Sequence, residues 1–503
     1  MDLTRRQFMR SILGTAVAFR FPRLSYALEK SISKPNILLI VAEDHGLQLS
    51  CYGDKYISTP NLDKLADKGV RFEHAYVTQA GCSPSRASIL TGQYPHNHGQ
   101  IGLATHGLRM YKDDTPNLTT YLKGAGYRTG IIGKIHVNPD SALLFDFKAF
   151  PKSNFNNRSI REFARSAGKF FRASNDPFLM WISFPDAHRP FHNQQEGIPS
   201  RIMGPDDVAT LPMVGVSTGQ TLQTTASYYN CMQRLDVAVG MVLNELVKSG
   251  KYDNTLIIYL SDHGPDFPRG KKTIREGGSR VPLIMNWKGH LPEGRVESRL
   301  VSTLDILPTI LEVVGIPQLQ NKLDGKSLIP LFNKKSVQWR QYLFTEFTLH
   351  WPETYYPGRA IRDNRFKLVH NLLPNRENPV YDIYLIKRIP RTFAPKELEN
   401  VAPEIQDAYK IFRQPPEFEL YDLRNDPWEF HNLADDPRYT KQLILLKRRL
   451  AEWQQRTNDP LRHKHILAKF TAENDATMIS GKYIRKKLGQ WKYPKYFFEG
   501  NDK

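Results

Sequence analysis

The sequence predicts an α/β fold with a mostly parallel sheet flanked by helices, joined to a smaller C-terminal α+β region with an antiparallel sheet. Three observations predict it. Short runs that are apolar throughout alternate with longer helical patterns from residue 35 onward. A run apolar on both faces of the pleat suits a strand buried on both sides, as in a parallel sheet. Polar residues then follow several of these runs directly, and past about residue 340 the strand signals become shorter.

Taken in order, Asn36-Ile37-Leu38-Leu39-Ile40-Val41 is the first such run, and it ends at Glu43-Asp44. Asn61 to Gly69 reads as a helix, with Pro60 ahead of it and a glycine closing it. Arg128 to Ile132, Phe178 to Phe184 and Thr255 to Leu260 are further buried strands, with a long helical pattern from Ala226 to Ser249 between two of them. That alternation is the signature of parallel pairing through crossover helices. Pro308 to Val314 reads as the last helix of the large domain. Tyr342 to Phe347, Gly358 to Ile361, Phe366 to His370 and Phe418 to Leu423 read as the shorter strands, with a helix from Thr440 to Thr457. The basic tail carries Tyr483, Trp491, Tyr493, Tyr496, Phe497 and Phe498 and is expected to pack over the surface. The expected division is a leader at 1–27, a large domain at 34–340, a smaller one at 341–470 and the tail at 471–503.

Composition narrows the function classes. The 503 residues are 40% hydrophobic and 24% charged, an ordinary globular balance. No run reaches the roughly twenty apolar residues that a membrane-spanning helix needs. Thr4-Arg5-Arg6-Gln7-Phe8-Met9-Arg10 precedes a mildly apolar stretch from Ser11 to Phe19, and Ser25-Tyr26-Ala27 offers a small-x-small cleavage pattern. These features predict export, and the paired arginines before Phe8 resemble a twin-arginine signal of bacteria. Seventy Lys and Arg against fifty-one Asp and Glu leave a formal net charge of +19. Such an excess attracts polyanions. No helix-turn-helix, zinc-finger or RNA-binding signature accompanies it, which argues against nucleic acid and points an exported protein toward a sulfated polysaccharide; charge alone does not decide this, since a solvated basic surface accounts for scattered lysines equally well. Cys51, Cys82 and Cys231 are too few for a disulfide framework and lack metal-ligand spacing. Cys51 and Cys231 read as small buried hydrophobes.

In open α/β sheets the site lies beyond the carboxyl ends of the strands. Glu43-Asp44, Lys134 with His136, Asp186 with His188, and Asp262-His263 all follow strand runs. Four polar clusters at corresponding strand ends predict one convergent site.

The most informative stretch is Cys82-Ser83-Pro84-Ser85-Arg86, continuing to Thr91-Gly92. With Cys51-Tyr52-Gly53-Asp54 and Thr59-Pro60-Asn61-Leu62-Asp63 upstream, it resembles the signature of type I sulfatases. The resemblance implies an alkaline-phosphatase-like large domain, and oxidation of Cys82 to formylglycine by a dedicated maturation enzyme. A hydrated aldehyde is a geminal diol: one oxygen takes the sulfuryl group, and deprotonation of the other hydroxyl then expels sulfate. Cys82 is expected at a helix N-terminus, where free N–H groups favour an anion, with Arg86 holding the diol. The resemblance further implies a Ca2+ (or Mg2+) site formed by Glu43, Asp44, Asp262 and His263 together with residue 82. Two of these depart from the family's usual pattern: Glu43 stands where many members have Asp, and His263 puts nitrogen where hard cations prefer oxygen. Gly133-Lys134-Ile135-His136 matches the family's Gly-Lys-x-His. Lys134 is expected to bind a sulfate oxygen and His136 to contact the diol as a base, both on one face of an extended segment. His188 is expected to protonate the leaving group. Lys271 matches a second sulfate-binding lysine, with Lys272 adjacent as the alternative.

Tyr127 to Val137, Arg365 to Leu372 and Glu419 to Ala434 resemble the heparan N-sulfatase (sulfamidase) branch of that family. This implies sulfate hydrolysis on a terminal N-sulfated glucosamine. The alternatives are an O-sulfatase acting on a glycosaminoglycan or an algal polysaccharide, a phosphatase or phosphodiesterase of the alkaline-phosphatase superfamily, and a non-catalytic binder of sulfated glycans. Glu346, His350, Glu353 and Arg359 are expected in a loop that contacts the sugar.

Overall fold

The computed structural model describes residues 34–151, 159–317, 323–333, 336–387, 391–481 and 484–497. The expected export signal lies outside the described residues, as do Tyr483 and Phe498 of the tail. From Pro35 onward the chain packs as one compact unit.

The large sheet contains β1 (Asn36–Ala42), β2 (Val70–Tyr76), β3 (Arg128–Gly133), β4 (Phe147–Ala149), β5 (Phe178–Ser183), β6 (Thr255–Ser261), β7 (Arg280–Asn286), β8 (Arg295–Glu297) and β9 (Val301–Ser302). Its order is β4-β3-β5-β1-β6-β7-β2-β8, with β9 also pairing β2. The core strands β3, β5, β1 and β6 run parallel. Strand β7 is antiparallel to both β6 and β2. Neither β2 nor β7 stands out in the sequence: Arg71, Glu73 and His74 interrupt the apolar run of β2, and Pro282 falls inside that of β7.

Strand β1 shows why its run is apolar throughout. Leu38, Ile40 and Ala42 face one core with α1 (Pro60–Asp67), α3 (Ile160–Arg172) and α4 (Gly219–Lys248). Ile37, Leu39 and Val41 face the other, with α2 (Cys82–Thr91) and α5 (Ile306–Val313). Alternate side chains of a strand point to opposite faces, so a sheet sandwiched by helices needs apolar residues at every position. Helix α4 begins at Gly219, well before Ala226, because the Thr218 side chain accepts the Thr221 N–H as an N-cap. The Thr-rich first turns carry little apolar periodicity, which hid them in the sequence.

The second sheet, β10 (Leu343–Phe347), β11 (Gly358–Arg362), β12 (Phe366–Asn371) and β13 (Phe418–Asp422), is antiparallel in consecutive order. Ile361, Leu368 and Leu420 pack against Leu446, Leu450 and Trp453 of α6 (Thr440–Arg456). The small sheet joins the large one through polar contacts. Glu346 N donates to Thr78 O at 2.8 Å, and Arg362 contacts Glu276 at 2.8 Å and the Tyr76 hydroxyl. Four of the tail's aromatic residues are described. Trp491, Tyr493, Tyr496 and Phe497 are buried with Ile101, Leu108, Leu349 and Phe470, the last on α7 (Lys464–Asp475).

Candidate active site

The register of β1 on β6 builds the floor of the site. Ala42 pairs with Ser261, so the residues that follow each strand, Glu43-Asp44 and Asp262-His263, emerge side by side. Two hydrogen bonds continue this pairing past the strands, from Asp262 N to Ala42 O at 3.0 Å and from Asp44 N to the Asp262 carboxylate at 3.1 Å. Asp44 has φ 54, a left-handed conformation uncommon for a residue with a side chain. That turn away from the strand direction brings its carboxylate to the cluster.

Helix α2 meets this floor from one side. Gly81 is its extended N-cap and Cys82 its first residue. Cys82 is 1% exposed. Its Sγ lies 3.3 Å from His263 Nε2 and 4.0 Å from Asp44 Oδ1. Burial opposes the thiolate, but Lys134, Lys271 and His263 outweigh it and bring the thiol down to about 7.

Arg86, one turn later, is fully buried. It binds Asp262 through Nε and Nη2, both at 2.9 Å. Its Nη1 donates to Ser183 Oγ at 2.7 Å and to Lys134 O at 2.9 Å. One guanidinium thereby ties the ends of β3, β5 and β6 to the helix that carries Cys82.

Strand β3 delivers Lys134. Gly133 has φ 89, and a Cβ there would lie 2.2 Å from Ser183 O, so only glycine fits beside β5. Lys134 Nζ donates to Glu43 at 3.1 Å. His136 reaches the same cavity by a different route from the one expected. The strand ends at Gly133, and His136 has φ 59, so strand alternation does not place it beside Lys134. Its Nε2 is 3.4 Å from Thr105 Oγ1, and its Nδ1 is buried without a hydrogen-bond partner.

The two adjacent lysines separate cleanly. Lys271 Nζ donates to Asp44 at 2.6 Å, whereas Lys272 turns to Asp266 at 2.5 Å and the Tyr384 hydroxyl at 3.2 Å. Burial works against both floor cations, yet the facing groups raise Lys271 and Lys134 above their ordinary pKa. His188 Nδ1–H donates to Arg189 O at 2.7 Å, leaving Nε2 for other contacts. Burial lowers its pKa against the pull of Asp44. Asp186 pairs with buried Arg234 at 2.5 Å and supports the loop that carries His188.

The donor set fits a divalent cation. Asp44, Cys82, Asp262 and His263 can each bring one ligand atom within 4.8 Å of the others, as can Glu43, Asp44 and His188. His263 Nδ1 faces Gly264 O at 2.9 Å; a carbonyl only accepts, so Nδ1 carries the proton. That leaves Nε2 toward the carboxylates, 3.4 Å from Asp44 and 3.6 Å from Asp262, the orientation of a metal-binding histidine. Burial opposes its charged form, but these two carboxylates raise its pKa to about 9. Three fully buried carboxylates crowded together call for positive charge. Lys134, Lys271 and Arg86 supply part of it.

A cavity of about 820 Å³ opens above the floor, lined by Cys82, Lys134, His136, His188, Lys271, His350 and Glu353 among others. Of the residues expected to contact sugar, His350 and Glu353 reach it, while Glu346 and Arg359 do not. Glu346 is buried against His96 at 2.5 Å. Arg359 is buried in a bidentate pair with Asp459 at 2.7 and 2.8 Å. Both lie on paired strands of the small sheet, β10 and β11, where buried charges pair internally. The sequence reading missed Thr105, His106 and Trp351, which also line the cavity; their only signal was composition. Cys231 is buried as expected, and Cys51 is half-buried, its thiol raised to about 12 chiefly by burial.

The Sulfatase family model matches residues 35–316. A second model, N-sulphoglucosamine sulphohydrolase, C-terminal, matches residues 269–410. Human N-sulphoglucosamine sulphohydrolase is 34% identical over 84% of this chain and 91% of its own length. An ulvan-active sulfatase of Formosa agariphila is 30% identical over 87% of this chain and 84% of its own. Among solved structures, one described as a complex with its substrate D-glucosamine-2-N,6-O-disulfate superposes with TM-score 0.64 at 21% identity, covering 85% of this chain and 99% of that one. A phosphonate monoester hydrolase from Silicibacter pomeroyi superposes with the same score at 20% identity, covering 84% and 96%. The family matches and the two relatives establish what the strand-end cluster suggested: the chain is an enzyme and belongs to the sulfatase family.

Proposed function

We propose that the protein removes sulfate from a sulfated saccharide with residue 82 as nucleophile, after conversion of Cys82 to formylglycine by a maturation enzyme, and that N-sulfated glucosamine is the favoured substrate. The observation that carries the first part is the placement of Cys82 at the N-terminus of α2, within 4.0 Å of Asp44 and 3.3 Å of His263. The hydrated aldehyde supplies one oxygen to attack sulfur and a second hydroxyl for releasing sulfate.

The chain's own residues divide the remaining work. Lys134 and Lys271 stand on either side of the carboxylates, on Glu43 and Asp44, where each can bind a sulfate oxygen. Arg86 holds Asp262, and through it the floor, against α2. His136 lines the cavity with an unpartnered Nδ1, suited to taking a proton from residue 82. His188, pinned through Nδ1, presents Nε2 to the leaving group. Asp44, Asp262 and His263, with residue 82, would hold Ca2+ or Mg2+, and Glu43 stands beside them in a second group with Asp44 and His188; the cation would offset sulfate charge and favour ionisation of the nucleophile.

The N-sulfated sugar is favoured by the human relative, whose C-terminal family model extends here to residue 410. A second reading, an O-sulfatase on a sulfated polysaccharide, is supported by the Formosa relative. Sulfate release from N-sulfated glucosamine, compared with 6-O-, 4-O- and 2-O-sulfated sugars, separates the two. Turnover of an O-sulfated sugar without release from the N-sulfated one selects the second. Cys82→Ala should abolish turnover with the fold intact, and mass spectrometry of the Cys82 peptide should show the aldehyde. Substantial residual activity in that variant would refute the mechanism. Export as a folded protein rests on Arg5, Arg6 and Phe8 and is read by cell fractionation of an Arg5→Lys, Arg6→Lys variant.

A further inference from the structure

The cavity floor carries Lys134 and Lys271, the cations suited to a sulfate group. Higher in the lining, Arg189 and Lys272 are both paired with Asp266. Glu353 also lines the cavity, is half-buried, and forms no ion pair among the described residues. A carboxylate facing an anionic substrate is repulsive unless it meets a different part of that substrate.

Glu353 is also held in place. It accepts Trp351 Nε1–H at 3.3 Å. Trp351 sits between two rings, stacked toward His106 at 6.4 Å and edge-on to His350 at 5.2 Å. The turn itself is locked by Thr354 Oγ1, which accepts His350 N–H at 2.8 Å and Trp351 N–H at 3.0 Å. Beside it, His350 is 3% exposed and its Nδ1 has no hydrogen-bond partner among the described residues. A Cβ added to Gly81 would lie 3.0 Å from that Nδ1, so the imidazole sits against the residue preceding Cys82. A buried nitrogen left without a partner costs about 1–3 kcal/mol. That nitrogen is turned toward Gly81, and other atoms of the imidazole line the cavity.

We infer that Glu353 and His350 form the sugar-reading wall of the site: the Glu353 carboxylate accepts hydrogen bonds from ring hydroxyls or an amine, and the His350 imidazole beside it gives the sugar a packing face. The inference rests on the saccharide sulfatase reading and deepens it. Lysines on the floor read sulfate, and the 350–353 turn reads the sugar that carries it.

The test separates these two roles by equilibrium binding. Glucosamine N-sulfate, glucosamine 6-O-sulfate and inorganic sulfate are titrated calorimetrically against the Cys82→Ala protein, which does not consume the sugar, alone and with Glu353→Gln or His350→Ala added, with melting temperature as the check on folding. Glu353→Gln should weaken the better-bound sugar by about tenfold or more and leave inorganic sulfate unchanged or slightly tighter, because an anion has been removed from the wall. His350→Ala should weaken the sugar in the same sense. Unchanged sugar affinity in both variants overturns the inference. So does a parallel loss of sugar and sulfate binding, the mark of a disturbed fold. Sulfate release from the same sugars is scored separately. Failure to release N-linked sulfate would refute the substrate reading, while a selective sugar-binding defect would still locate the wall.

Discussion

Residue identity matters most where two neighbours with one chemistry are sent to different places. Lys271 and Lys272 are equivalent in sequence. The left-handed backbone at Lys272, φ 69, sends its ammonium to Asp266 and Tyr384, and Lys271 alone reaches Asp44. Lys271→Met is therefore expected to lower kcat/KM on a sulfated sugar by about 10²–10³, the usual cost of removing a preorganised charge donor. Lys272→Met should change the melting temperature more than it changes turnover. Steady-state kinetics beside thermal melts checks both, and equal kinetic losses would contradict the assignment. The residues at the strand ends were legible in the sequence because β1, β3, β5 and β6 stop abruptly at polar groups. The choice between the two lysines was not, since it depends on one backbone angle. Nor was the burial of Glu346 and Arg359, whose partners His96 and Asp459 are remote in sequence.

Among the elements, the junction of the two sheets carries a buried charge cluster. Glu276 binds Arg362 at 2.8 Å and Lys367 at 3.2 Å, linking the segment before β7 to β11 and β12. Burial opposes its ionisation, but these cations outweigh burial and hold its carboxyl at about 2, against an ordinary 4.5. A depressed carboxyl pKa stabilises the fold fully above the unfolded value and loses that contribution as pH falls toward the folded one. The melting temperature should therefore drop between pH 4.5 and about 2. Glu276→Gln should be less stable at neutral pH, and its deficit should shrink across that window. A deficit independent of pH would show that the carboxylate charge contributes nothing there. The pattern of the large sheet was readable wherever both strand faces are apolar. Strand β2 escaped because charged residues fall within it, and β7 because Pro282 breaks the strand signal of its apolar run; Arg280, at its start, donates to Glu73 O of β2 at 2.7 Å.

At the scale of the whole molecule, the formal charge of +19 bears on how the substrate arrives. An excess of basic groups accelerates the encounter with polyanions, and salt screens that steering. kcat/KM on a sulfated polysaccharide is expected to fall more steeply with ionic strength than on a sulfated monosaccharide, which meets only the local field of the cavity. Parallel salt dependence for the two would place the whole electrostatic effect inside the site. The tail bears on a different property, the fit of the rim. Tyr493 donates to Gly99 O at 2.8 Å, Trp491 to His106 O at 2.9 Å and Arg485 to Thr105 O at 2.8 Å. These residues thus brace the loop that supplies Thr105 and His106 to the cavity. A chain cut before residue 485 would keep every group of the floor yet lose the brace on its rim, so removing this segment offers a way to retune substrate grip without altering a single reacting atom.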